Sequence, residues 1–104
     1  MSQCKVAFEG MPWVQVRPGV RHKVHREGAR QLRLVDFSTP DGDPHWCEQG
    51  HIGYVLKGGL TIDIGGDLFS YEEGDALLIP PGKPSAHRGM QIVPGTLLFM
   101  IEDV

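Results

Sequence analysis

Apolar and polar residues alternate with a period of two along most of the chain. The segments "WVQVR" (13–17), "VRHKVHR" (20–26) and "RQLRLVDF" (30–37) all follow it, bounded by Pro18-Gly19, Gly28 and the prolines at 40 and 44. A period of two places successive side chains on opposite faces of an extended strand. "IGYVLKG", "LTIDIGG" and "LFSYEEGD" continue the pattern, with glycine pairs at 58-59 and 65-66. Paired glycines permit the positive φ of two-residue hairpin turns, so residues 54–75 are expected to form a three-strand meander. "ALLIPPG" and "TLLFMIE" are more continuously apolar, as strands covered on both faces should be. No segment carries an apolar face at helical spacing over three turns without an interrupting Gly or Pro. The expectation is all-β, with eight to ten short strands in a sandwich or barrel.

Length sets the organisation. A chain of 104 residues makes one domain, 1–104, and needs no disulfide staples to bury a core. Its 14 glycines and 8 prolines exceed the average share of roughly 12%, and their spread along the chain marks turns. Net charge is −3, which argues for neither nucleic acid nor an anionic membrane as partner. The first residues lack the apolar run of a signal peptide, and the longest apolar run, "LLFMI", is far below the ~20 residues of a membrane span. A cytoplasmic protein is expected. Cys4 and Cys47 make no disulfide framework. Six of the ten basic residues lie between Arg17 and Arg33 against the single acid Glu27, a pattern that alternating strands with one solvated face produce without a ligand.

The stretch "PHWCEQGH" (44–51) places two histidines and a cysteine within eight residues. Residues 45, 47 and 51 share parity, so an extended chain directs His45, Cys47 and His51 to one face. Glu48 has the opposite parity. Gly53 and Val55 follow His51 on its face, the glycine leaving room for a bound molecule, while Ile52, Tyr54 and Leu56 pack outward against a further layer. A closed zinc finger would need a second Cys/His pair at finger spacing, which the chain lacks.

"HWCEQGHIGYVLKG" followed by "GDALLIPPGKPSAH" resembles the two signature motifs of the cupins, small jelly-roll β-barrels. In the first motif, which runs His-x-His, three or four spacers, Glu, six spacers, Gly, this chain has His45, Cys47, His51 and Gly58. In the second, Gly74 and Pro80-Pro81-Gly82 match, position 85 is Ser, and the histidine comes two residues later as His87. Gln91 stands where the family usually has Asn. The resemblance covers residues 42–91. It implies a single cupin-like jelly-roll barrel, and cupins commonly hold one divalent metal with three histidines and a glutamate.

The chain departs at two of those four positions, with Cys47 for the second His and His51 for the Glu. The implied ligand set is His45, Cys47, His51 and His87, with Ser85 as the rival for the last place. A thiolate with three neutral imidazoles preserves the −1 charge of the family's set but softens it, favouring Zn, Fe, Ni or Cu over Mn or Mg. Glu48, Tyr54 and Gln91 are candidates for proton-transfer or supporting roles. Three readings follow: a metal-dependent enzyme acting on a small oxygenated molecule, a non-catalytic small-molecule binder or sensor without metal, and a redox-responsive thiol at Cys47. An open sheet edge further suggests a homodimer. Trp13, Phe37, Trp46, Phe69, Tyr71 and Phe99 are expected in the core or an interface.

Overall fold

The period-two segments become nine antiparallel strands in the computed structural model, which describes residues 4–104. They are β1 Val14–Arg17, β2 Val20–Glu27, β3 Arg30–Phe37, β4 His51–Lys57, β5 Gly59–Ile64, β6 Asp67–Glu72, β7 Ala76–Ile79, β8 His87–Ile92 and β9 Thr96–Asp103. Two single 3-10 turns, Phe8–Gly10 and Lys83–Ser85, are the only helical pieces among the described residues. The strands form a six-stranded sheet, in the order β1-β2-β3-β9-β4-β7, and a three-stranded sheet, β6-β5-β8.

The core lies between the sheets. Val20, Val35, Phe37, Leu98, Val55 and Leu77 project from the larger sheet toward Leu60, Ile62 and Ile92 of the smaller one, all nearly solvent-free. Burying each such side chain contributes on the order of 1.5–3 kcal/mol. The outer face of the larger sheet is covered in part by the N-terminal segment. Phe8 packs edge-on against Phe99 of β9, and Lys23, itself buried, donates to the Phe8 carbonyl at 2.8 Å beneath the Trp13 ring.

Several expectations change at this level. Gly65-Gly66 is a hairpin turn joining β5 and β6, with φ of 61° and 97°. Gly58-Gly59 is not: β4 pairs with β7 and β9, β5 with β6 and β8, so the chain changes sheets there. The meander is therefore a corner followed by a hairpin. Thr96, fully buried at the start of β9, ties the corner down by accepting from the Gly59 N–H at 3.0 Å.

β7 lies at a sheet edge with one bare face, Leu78 being 78% exposed, whereas β9 is central and buried along one face. Ile52, Tyr54 and Leu56 point outward as their parity requires but remain largely exposed. Among the aromatics, Phe37 is core and Tyr71 packs against it, while Trp46 and Phe69 are about half exposed. The basic strands are not uniformly solvated, because Lys23 and the Arg33 side chain are enclosed. The sheets are not paired into a closed barrel among the described residues. The connection between β3 and β4 is joined to β8 by isolated bridges, Cys47 with His87 and Asp41 with Gln91.

Candidate metal centre

Three separate pieces of backbone deliver the site. His51 opens β4, on the larger sheet, and shares the inward face with Val55. His87 opens β8, on the smaller sheet, opposite Ile64 of β5. Cys47 sits on the connection before β4 and is locked to β8 by reciprocal backbone hydrogen bonds, Cys47 N to His87 O at 2.8 Å and His87 N to Cys47 O at 2.9 Å. The potential ligand atoms of Cys47, His51 and His87 all lie within 4.8 Å of one another. Cys47 Sγ is 4.0 Å from His51 Nε2, and the two imidazole rings meet edge-on with centroids 4.8 Å apart. They line a cavity of about 190 Å³ whose walls include Val35, Leu60, Ile62, Leu77 and Leu98.

Hydrogen bonding decides which ring nitrogen faces the centre. His87 Nδ1 lies 3.1 Å from the Ser85 carbonyl, an acceptor only, so Nδ1 carries the proton and Nε2 holds a lone pair. That Nε2 is buried and has no protein partner. An orphaned buried polar atom costs about 1–3 kcal/mol. Burial holds the His87 pKa below the ordinary imidazole range; the Ser85 carbonyl is the chief opposing influence, with smaller contributions from His51 downward and Glu102 upward.

His51 Nδ1 lies 2.5 Å from Glu102 Oε2 of β9, at a side chain only 1% exposed. The approach is short, though off the ideal hydrogen-bond line, and it sets the carboxylate against the nitrogen remote from the cavity centre. Glu102 is in turn gripped by Arg33, whose Nε donates to Oε1 at 2.7 Å and Nη2 to Oε2 at 3.0 Å, and by Gln31 Nε2 at 2.7 Å. Burial alone would raise the Glu102 pKa; the His51, Arg33 and Gln31 contacts outweigh it and hold the value down at about 2. Bidentate, charge-assisted pairs of this kind are the strong ones.

The residues fit a metal ion. Sulfur and two imidazole nitrogens converge; zinc would bring Cys47 Sγ and His51 Nε2 from 4.0 Å to about 3.6 Å, while the widest separation in the group, up to 4.8 Å, would close by about 1 Å. Cys47, His51 and His87 would hold the ion, and three protein ligands are fewer than the four of a closed structural zinc site.

The sequence model of the cupin domain matches residues 38–101, more than half the chain and including all three donors. The chain is a cupin. Among solved structures it is similar to KdgF from Halomonas sp., with 23% identity, 91% of this chain and 89% of that one covered, and a TM-score of 0.77. An RmlC-like cupin from Shewanella frigidimarina aligns at 16% identity over 98% and 91%, with a TM-score of 0.79. The polyketide cyclase RemF from Streptomyces resistomycificus aligns at 20% over 98% and 80%, with a TM-score of 0.77. At these identities the likeness establishes the fold alone. No curated protein is a significant match.

Against its sequence, this cupin brings Cys47, His51 and His87 together and leaves His45 out. The His45 side chain is 87% exposed at the cavity rim, where Asp43 accepts from its backbone N–H at 2.9 Å and lies 3.3 Å from Nδ1. Residues 42–50 form no strand, so the period of two that linked 45 to 51 does not carry across the bends. Of the two rivals in the second motif, His87 enters the cavity, while Ser85 contributes its carbonyl from the 3-10 turn. Glu48 is exposed, Tyr54 stands on the outer face at 46% exposure, and Gln91 is exposed on β8; none reaches the donors. Gly53 leaves no room for a ligand: a Cβ there would meet Phe99 O at 2.7 Å and Met100 Cγ at 3.0 Å. Glu102, Arg33 and Gln31 were missed. The available signal was an acid closing the apolar run "LLFMIE", on the same face as Leu98 and Met100.

Proposed function

We propose that this cupin binds one divalent transition metal through Cys47 Sγ and the Nε2 atoms of His51 and His87, and is a metal-dependent enzyme acting on a small oxygenated molecule. The observation that carries this reading is the unpartnered, buried Nε2 of His87, aimed into a cavity that also presents His51 and Cys47. The sulfur donor favours Zn, Fe, Ni or Cu. The chemistry such an ion would supply, if held there, is polarisation of an oxygen of a bound molecule. The chain's own residues do the rest. Apolar walls shed water from the bound molecule, Ser85 and Glu102 hold the two imidazoles in place, and Arg17, paired with Asp43 at 3.4 Å, borders the entrance with His45.

Elemental analysis of the purified protein, followed by zinc titration of the stripped form, tests the reading. Wild type should take up one equivalent. H87A and C47S should each weaken binding by at least ~10-fold, by loss of a donor, while H45A should bind as wild type does. No uptake by wild type, or undiminished affinity in H87A, would leave the non-catalytic small-molecule binder as the better account.

A further inference from the structure

Resting on the metal reading above, we infer that Glu102 is the positioning residue of this centre: it fixes the orientation and tautomer of His51 so that Nε2 is presented to the ion. Three features of the fold carry this. First, β9 runs between β3 and β4, which sets Glu102 beside Gln31 on one side and level with His51 on the other. Second, the carboxylate cannot swing. Arg33 engages both oxygens, Gln31 shares Oε1, and the remaining capacity of Oε2 faces His51 Nδ1 at 2.5 Å. Third, the two histidines receive unequal support. His87 is held by a neutral backbone carbonyl, His51 by a full negative charge.

A carboxylate on the far nitrogen of a ligating imidazole fixes the ring and raises its basicity. A simple internal salt bridge between Arg33 and Glu102 would not require the carboxylate to contact a third, ligand-bearing strand. The first cupin motif here has His51 where its carboxylate ligand would stand; β9 returns a carboxylate one layer behind that position.

Nitrogen-15 NMR of the histidine rings in metal-free wild-type protein at alkaline pH reads the tautomer directly, and competition with a chromophoric chelator reads zinc affinity. The expected result is a His51 protonated on Nδ1. In E102Q that preference should be lost and zinc affinity should fall by about 10- to 100-fold, the usual effect of removing such a partner. A residue that merely stabilised the fold would alter melting without altering the tautomer. A wild-type His51 protonated on Nε2, or an E102Q protein with undiminished zinc affinity, overturns the inference. Should E102Q fail to fold, the wild-type tautomer alone decides. If wild-type protein binds no zinc, the proposed function fails, and the ring spectrum of that same protein still judges the hold of Glu102 on His51.

Discussion

His87 and Glu102 are buried groups whose charge states are set by their surroundings, in opposite senses. His87 is favoured neutral by burial, and Glu102 is favoured charged by Arg33, His51 and Gln31. Both folded pKa values are depressed, so both groups contribute stability above their unfolded pKa and lose it as pH falls. For His87 the loss begins below the unfolded value of 6.5, where the unfolded chain protonates and the folded one resists. For Glu102 it runs from 4.5 down to about 2. The Glu102 share amounts to about 3 kcal/mol at neutral pH. Urea denaturation of metal-free protein should therefore show a shallow decline below pH 6.5 and a steeper one below 4.5. Stability that stays flat between pH 6.5 and 4.5 would contradict the buried neutral His87, and no steepening below 4.5 would contradict the buried Arg33–Glu102 pair.

Strand ends, more than strand interiors, position the centre. His51 and His87 are each the first residue of a strand, and Cys47 is placed by its backbone pairing with β8. Such ends depend on corners, and the Gly58-Gly59 corner depends on Thr96. Its hydroxyl accepts from Gly59 N–H and lies 2.9 Å from Gly59 O and 2.6 Å from Val93 O. T96V, nearly the same in shape, should strand a buried amide and cost about 1–3 kcal/mol in denaturant titration, with T96S recovering most of it. An unaffected T96V would mean that backbone pairing alone holds the corner. The turn glycines announced both corners, but only pairing reveals that one closes a hairpin and the other changes sheets. A glycine pair reports permitted φ values, not the partner of the strand that follows.

The molecule as a whole leaves an apolar surface at a free edge. Leu78 of β7 is 78% exposed and pairs with Ile52 of β4, itself 55% exposed. Unprotected edges with apolar residues favour association with another chain, most simply a second copy about a two-fold axis. Light scattering should find a homodimer, and L78D should shift it toward monomer; a monomeric wild type would remove the expectation. Among the described residues no helix is long and apolar enough to cross a membrane. The alternating pattern, the turn glycines and the motif spacing were sufficient for the strand segments, the all-β class, the family and the three residues that meet in the candidate site. These are local properties, carried by residues near one another in the chain. Tertiary structure alone decided that His45 stands at the rim, that Gly53 is filled by β9, and that Glu102 and Arg33 stand behind His51. Each depends on which strands become neighbours and in what register, and a contact between β4 and β9 leaves no periodic trace in either segment.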